Sequence, residues 1–473
     1  METIPNRKLD LRENPQAETH GARDRIGAKK KKYVAVGTGG RIPMFIDPIA
    51  RDYKESAEIL AFCDSSKVRM DYHVARLARE YGVGGIRTYA PQEFERMLDE
   101  QKPDVVIVCT VDALHSDYIL RSLAKGCDVI CEKPITTDAE KCRALLEAVP
   151  ASGRHVRVTF NYRWVPGVSL LRKLVADGTI GTIKHVNLEY MLNTSHGADY
   201  FRRWHSEKES SGGLLVHKST HHFDLVNWVI DSVPETVYAM GDLVFYGRKN
   251  ALSRGDEALT TYPRYAGSPN PEDPFSLDLA SDKTMKCLYL EAEQETGYIR
   301  DRNVFRDGIN IEDSMSVVVR YRSGVMLSYS LNAYCPYEGF RIHLSGDRGR
   351  LEDEERHAGH VIKGQSDAEL GAEQSEGENW RRLVHFPLFG APRDIPIEER
   401  EGSHGGGDPL LQEQMFSATP PPDLLGLSAG HEQGIASAII GIAANQSMAS
   451  GLPVKVDDLV CLRPGEKLLS RLI

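Results

Sequence analysis

Between Tyr33 and Val149 the chain repeats one pattern: a short apolar run, a turn, then a segment of helical periodicity. The apolar runs fall at residues 33–36, 57–62, 86–89, 105–109 and 129–131, and helical periodicity fills 68–81, 93–100, 116–125 and 137–149. Strands that are apolar on both faces need cover on both sides, and helices returning between them supply it. The pattern predicts a doubly wound parallel α/β sheet. Local signals agree: Gly126 stops one helix, Pro91 stands in the first turn of another, and Thr137 with Glu140 reads as a capping box.

From His155 the texture changes. Residues 155–162, 183–191 and 317–321 alternate apolar with polar, as one-sided strands do, and 325–331 follows a Ser323-Gly324 turn. Residues 340–344 and 349–351 flank a tight turn at Gly346-Asp347-Arg348-Gly349. These are meander-like antiparallel strands, so the second domain is expected to be α+β. Small apolar residues at helical spacing over 430–448 predict a well-packed helix. Residues 248–274, rich in glycine, proline and charge, and the acidic 352–377 read as inserted loops. The expected division is a disordered polar arm at 1–32, a dinucleotide-binding domain at 33–152, and an α+β domain at 153–473 for substrate and oligomerisation.

Composition narrows the class of partner. A 473-residue chain with net charge −10 lacks the clustered positive charge of a nucleic-acid footprint. No apolar run approaches the roughly 18 residues of a membrane span. The first 32 residues lack a secretory core, and Glu2, Asp10, Glu13, Glu18 and Asp24 argue against a mitochondrial presequence. Lys29 to Lys32 reads as a solvated flank before the first strand rather than a nuclear address. Eight scattered cysteines without metal or disulfide spacing point to a reducing, cytoplasmic setting.

The first strand breaks into Gly37-Thr38-Gly39-Gly40-Arg41, where backbone amides can approach a pyrophosphate and Arg41 can add charge. Ile42 stands where the usual fingerprint has its third glycine. Asp64, at the end of the second strand, is placed to accept hydrogen bonds from a ribose diol and to repel a 2′-phosphate, which favours NAD over NADP. Glu132-Lys133-Pro134 leaves the apolar run 129–131, so Lys133 is expected at the carboxyl edge of the sheet. Partly desolvated there, its pKa falls, which suits acid–base work on a hydroxyl. Further on, Gly212-Gly213 opens a stretch to Trp228. If it is helical from about Leu215, a 100° step puts His217, His221 and Asp224 within about 60° of one another. A helix N-terminus with satisfied polar groups is the bland alternative for that trio.

In order and spacing, Gly37 to Arg41, Cys109-Thr110-Val111-Asp112-Ala113-Leu114-His115, Glu132-Lys133-Pro134 and the Gly-Gly…His stretch resemble the glucose-fructose oxidoreductase/inositol dehydrogenase/rhizopine-catabolism (Gfo/Idh/MocA) family. The resemblance runs from Tyr33 to about Asp458. It implies a Rossmann domain, a C-terminal domain on an open, mainly antiparallel sheet, NAD(P), and oxidation of a sugar or polyol hydroxyl. It carries cofactor contacts onto Gly37, Gly39, Gly40, Asp64, Thr110, His115 and Glu132, and the catalytic lysine onto Lys133; Thr38, Arg41 and Lys133 are expected at the cofactor as well. The downstream pair, normally an aspartate and then a histidine, falls on His217 and His221, an imidazole replacing a carboxylate. Asn161, Tyr162 and Arg163 are implied at the substrate side, and a homodimer or homotetramer is implied by the exposed sheet. Arg203 and Trp204 are expected to cover the sugar, with a dimer contact or packing as the alternative, and Lys218 is expected at the substrate side with them. His217 to Asp224, Tyr298 to Asp301, Leu331 to Tyr334 and Ser403 to Asp408 resemble a longer subgroup, some of whose members oxidise glycosides at C3.

The expected chemistry follows. His221 and Lys133 bracket the reacting hydroxyl while hydride leaves for the nicotinamide, and His217 orients or relays the proton. Asp224 is expected to hold His221 or to cap local backbone rather than to react. No metal is expected: His217 and His221 have zinc-ligand spacing, but Lys218 puts a cation beside them. Two rival readings are an NAD-dependent glycosidase with a transient redox cycle and a non-enzymatic dinucleotide-sensing regulator.

Overall fold

The computed structural model describes residues 30–267, 272–361, 380–398, 400 and 405–472. Six parallel strands form the first sheet: β1 (Lys31–Val36), β2 (Ala57–Cys63), β3 (Arg87–Tyr89), β4 (Val105–Val108), β5 (Asp128–Cys131) and β6 (Val156–Val158). Their spatial order is β6-β5-β4-β1-β2-β3. Helices α1 (Pro43–Arg51), α2 (Lys67–Tyr81), α3 (Phe94–Gln101), α4 (His115–Ala124) and α5 (Ala139–Ser152) return between them. The order reverses between β1 and β4, which opens a crevice beyond the carboxyl ends of those two strands.

Three local expectations change. The stretch 155–162 does not open the second sheet. Val156 and Val158 are buried and β6 pairs parallel to β5, extending the first sheet. The cap of α5 is Asp138, which accepts from the Lys141 amide at 2.9 Å, because the helix starts one residue later than the Thr137 box requires. β1 starts at Lys31, inside the expected arm, whose residues 1–29 lie outside the described ones.

Crossing to the second domain, α6 (Pro166–Ala176) leads into β7 (Ile183–Asn193), then α7 (Thr194–Arg202), α8 (Lys208–Ser211), α9 (Leu214–His217) and α10 (Ser219–Ile230). The second sheet adds β8 (Pro234–Asp242), β9 (Ser314–Tyr321), β10 (Met326–Cys335), β11 (Glu338–Gly346), β12 (Gly349–Ala358), β13 (Trp380–Pro387) and β14 (Arg393–Ile395). The two-residue β15 (Ala429–Gly430) pairs antiparallel with β6, and β16 (Val454–Lys455) closes the second sheet. That sheet runs β14-β13-β12-β11-β7-β10-β9-β8-β16, and only β7 with β10 is parallel. The mainly antiparallel character expected of it is what the fold has.

One face of this sheet is covered by α10, almost wholly buried, and by the helix His431–Ser450, buried along most of its length. Gly441 is required there: a Cβ would lie 2.2 Å from the Leu215 carbonyl oxygen, so only glycine lets the long helix press onto α9. Neither expected insertion is a simple loop. Residues 248–274 contain a helix, Arg248–Arg254, and residues 352–358 prolong β12; residues 362–377 lie outside the described ones.

Candidate active site

The crevice at the β1/β4 switch point opens into a cavity of about 760 Å³ that runs from Gly37 to His217. At its first end, Gly37 has φ +85°, and a Cβ would meet the Cys109 carbonyl oxygen at 2.4 Å, so the turn admits only glycine. Ile42 is fully buried, and its side chain packs where the fingerprint's third glycine would bring helix and strand together. Asp64 closes the glycine turn from the neighbouring strand. Its Oδ2 accepts from the Thr38 amide (2.6 Å) and hydroxyl (2.9 Å), and its Oδ1 accepts from the Ser66 amide (2.8 Å). A carboxylate offers about four acceptor positions, and the Ser65 hydroxyl takes the fourth, on Oδ1, at 3.4 Å, the longest of these bonds and the one a ribose hydroxyl would replace.

The second domain reaches over this end. Tyr289 accepts from the Gly40 amide at 2.9 Å, and Arg69 donates to the Leu288 carbonyl at 2.7 Å with its guanidinium over the Tyr289 and Tyr298 rings. Glu295 accepts from the Ser66 hydroxyl and the Val68 amide. Of these residues, Tyr289 and Glu295 were not expected at the cofactor end: residue order alone does not place a segment more than 200 positions away on the glycine turn.

Arg41 does not stand free for a pyrophosphate: its Nε donates to Glu132 at 2.7 Å, and the other Glu132 oxygen accepts from the Lys133 amide at 3.1 Å. Thr110 lines the cavity beside them. His115 is almost fully buried, with Nδ1 facing the Pro134 carbonyl (2.7 Å) and Nε2 the Thr110 carbonyl (3.2 Å). It ties the exit of β4 to that of β5, and burial pushes its pKa down.

At the far end Lys133 is buried and directed at α9. Its Nζ donates to the His217 carbonyl at 3.0 Å and lies 3.3 Å from His217 Nε2. His217 Nδ1 in turn lies 2.5 Å from Asp112 Oδ2. Burial pushes the Lys133 ammonium below the usual lysine range, with Asp112 and Glu132 opposing. Burial, then the Lys133 charge, pushes His217 well down, so its imidazole is neutral at physiological pH. Burial raises the Asp112 carboxyl and Lys133 pulls it back. Asp112 was part of a recognised motif yet was not proposed as a site residue. Its place at the carboxyl end of a parallel strand was the available signal.

Walls of this end come from α7 and the turn after it. Arg203 and Arg300 share the Asp199 carboxylate, at 3.0 Å for Arg203 and 2.7 and 2.9 Å for Arg300. Trp204 stacks on His205 at 3.7 Å, and the His205 ring lies 4.2 Å from that of His217.

The expected trio does not converge. The helix breaks at Lys218, so α9 and α10 are separate and their polar residues diverge. His217 faces the cavity. His221 is not among the residues lining it and packs 5.0 Å from the Tyr162 ring. Asp224 does not hold His221: it accepts two hydrogen bonds from Arg163, at 2.7 and 2.5 Å. Arg163 is therefore not at the substrate side. It is wholly buried and also donates to the Gly426 carbonyl and to Gln433. Asn161 is buried too and donates to Asp408 at 3.0 Å. Lys218 lies over the Tyr190 ring, with Tyr162 farther off, and burial lowers its pKa to about 8. Tyr162 bonds the Tyr190 hydroxyl at 3.0 Å. Ser403 and His404 lie outside the described residues. Among the described residues no group of three His, Cys, Asp or Glu side chains is arranged to hold a metal.

A glycine-turned parallel sheet with a buried lysine at the crevice, roofed by an antiparallel α+β domain, defines a two-domain dinucleotide oxidoreductase. Residues 31–160 match the description "Oxidoreductase family, NAD-binding Rossmann fold", and residues 172–456 match its "C-terminal alpha/beta domain". The chain belongs to the Gfo/Idh/MocA oxidoreductase family, enzymes acting on CH–OH groups. YteT of Bacillus subtilis (strain 168), which carries oxidoreductase in its name, is 34% identical over 442 residues, 91% of this chain and 98% of that one. D-glucoside 3-dehydrogenase of Escherichia coli (strain K12) is 28% identical over 177 residues, 37% of this chain and 48% of that protein. The fold is shared with aldose-aldose oxidoreductase from Caulobacter crescentus, at TM-score 0.58 and 17% identity, covering 90% of this chain and all of that one.

Proposed function

We propose that this chain oxidises a secondary hydroxyl of a sugar, polyol or glycoside, with NAD as the hydride acceptor and Lys133 as the group that takes the hydroxyl proton. The observation that carries this reading is the buried Lys133 Nζ. Two of its N–H positions are directed at His217, at the carbonyl and at Nε2, and in the neutral amine the remaining position is a lone pair left for the substrate hydroxyl. When bound, the nicotinamide supplies the hydride acceptor.

The chain's own residues supply the rest. Gly37 to Gly40 give a close-approach turn for the pyrophosphate, and Asp64 a carboxylate for the ribose, whose charge disfavours a 2′-phosphate. A lysine depressed by burial loses its proton at lower pH than an exposed one, so oxidation becomes possible nearer neutrality. His217 stands directly behind Lys133, and the geometry favours it over His221 as the lysine's partner. Trp204 lines the same cavity as Lys133 and brings an aromatic surface suited to the C–H face of a sugar ring.

D-glucoside 3-dehydrogenase supports a glycoside oxidised at C3 as the finer substrate. All eight cysteines are free, which fits a reducing cytoplasm. Tyr238, Met240, Val318 and Met326 are exposed on β8, β9 and β10, an apolar band suited to pairing with a second copy.

The test is a panel of sugars, polyols and O- or C-glycosides with NAD, following reduced-nicotinamide absorbance and product mass together. A keto product matching the reduced cofactor supports the reading, whereas glycoside cleavage with no net reduction supports the redox-cycling glycosidase. Lys133→Ala should lower kcat by about two to four orders of magnitude. Turnover undiminished in that variant overturns the assignment.

A further inference from the structure

We infer that Asp112 is a positioning residue of the catalytic centre, holding His217 so that Nε2 receives the proton that Lys133 takes from the substrate. The inference rests on the function proposed above and adds a residue to it. Asp112 sits on the loop leaving β4, in the first domain, whereas His217 ends α9 in the second. They are 105 residues apart and both are buried.

The chemistry is set by which nitrogen faces which group. Burial opposes the ionised form of Asp112 and the Lys133 charge favours it; as a carboxylate, Asp112 accepts but does not donate, so its Oδ2 takes the proton on Nδ1 and leaves the Nε2 lone pair toward Lys133 Nζ, 3.3 Å away. In the oxidation direction the substrate O–H bond breaks and its proton goes to the Lys133 lone pair, while hydride leaves the same carbon for the nicotinamide. A proton already on Lys133 passes to Nε2. The resulting imidazolium lies against the Asp112 carboxylate, which stabilises it. Charge and proton are conserved along Asp112–His217–Lys133, and nothing beyond the proposed cofactor and substrate is consumed.

The arrangement also accounts for His217 itself. By resemblance that position carries an aspartate, which would set a carboxylate beside the lysine directly. Here the carboxylate is supplied from the other domain, and an imidazole spans the gap. A mere domain staple would not need the second ring nitrogen to face Lys133. The site is enclosed by further charges: Arg203, His205 and Lys218 act on His217, and Glu132, Arg41 and Arg203 on Lys133. His205, edge-on to His217, has a buried Nδ1 without a hydrogen-bond partner. No acceptor other than Asp112 is within reach of His217 Nδ1 among the described residues.

The experiment compares Asp112→Asn with the wild type, both loaded with NAD, on the best substrate from the panel. The amide keeps the shape but can donate to Nδ1, which selects the wrong tautomer. We expect kcat to fall by about 10- to 1,000-fold, with KM and cofactor affinity changed by less than about threefold. Asp112 favours the charged form of Lys133, so removing its charge lowers that pKa further. The rising limb of the kcat–pH profile should therefore move toward acid even as its plateau drops. An unchanged kcat and pH profile in Asp112→Asn, with Lys133→Ala inactive, overturns the relay and leaves the proposed function standing. Full activity in Lys133→Ala overturns the function itself. Should Asp112→Asn fail to fold, ¹⁵N spectra of the wild-type NAD-loaded protein decide, with His217 assigned by its loss in His217→Gln. A protonated Nδ1 with a bare Nε2 supports the relay, and the opposite tautomer overturns it.

Discussion

His217 and Asp224 lie seven residues apart in one stretch, each in contact with an opposite partner, yet the two pairs serve different ends. Arg163–Asp224 is sealed: both side chains are buried to within 1%, and the guanidinium's remaining donors go to Gly426 and Gln433. Asp112–His217–Lys133 is as deeply set but borders a cavity, and every member is pushed toward its neutral form by burial. The first pair has its hydrogen bonds satisfied on both sides and nowhere to send a proton. The second retains one unused position, on Lys133, directed at open space. Proximity of charges is common to both. In the proposed function, what separates a strut from a reaction centre is that unfilled position.

The strongest way to break the comparison is to cut the sealed pair. Arg163→Ala leaves Asp224 as an uncompensated buried charge and should cost about 3–5 kcal/mol of stability, read from urea unfolding. Activity per folded molecule should change little, because the pair does not reach the cavity. If Arg163→Ala instead keeps its stability and loses turnover, Arg163 belongs to the substrate side after all.

A second effect separates sealed charge by pH. Glu338 is buried beside His196, at 2.8 and 3.1 Å, and near Lys218. Burial pushes its carboxyl up, but His196 and then Lys218 outweigh burial and hold it at about 2. A carboxyl depressed on folding stabilises the fold above its unfolded pKa near 4.3. That stabilisation is lost as pH falls from about 4.3 toward 2. The contribution is on the order of 3 kcal/mol. Glu338→Gln should flatten that part of the stability–pH curve, measured by thermal melts between pH 2 and 6. A curve identical to the wild type would mean the carboxylate has the same pKa folded and unfolded.

Much of the frame was legible in the order of residues. Alternating apolar runs and helical periods announced the parallel sheet, and a glycine turn after its first strand placed the crevice. Lys133 was visible because it directly follows an apolar strand. The partners of these residues were not. The 100° projection of His217, His221 and Asp224 assumed one unbroken helix, whereas the chain breaks at Lys218, one turn after the Leu215 carbonyl on which Gly441 packs. Asp112 and Tyr289 act across the domain boundary, where periodicity carries no information. Asn161 and Arg163 were assigned by position after β6, and burial redirected both toward structural partners.

The remaining contrasts are smaller and test whether the roof over the glycine turn is held by specific bonds or by general packing. Tyr289→Phe deletes the acceptor of the Gly40 amide and should cost about 0.5–1.5 kcal/mol by urea unfolding, because the amide must find another partner or go without. Arg382–Asp394 is the control: it is as short, at 2.6 Å, but both side chains are well exposed on β13 and β14. Water screens such a pair and holding two mobile chains together costs entropy, so its expected contribution is close to nothing. If Tyr289→Phe and Arg382→Ala prove equally silent, the hydroxyl–amide bond does not hold the roof. The edge-on rings of Tyr289 and Tyr298, with the Arg69 guanidinium over both, would then carry that contact alone.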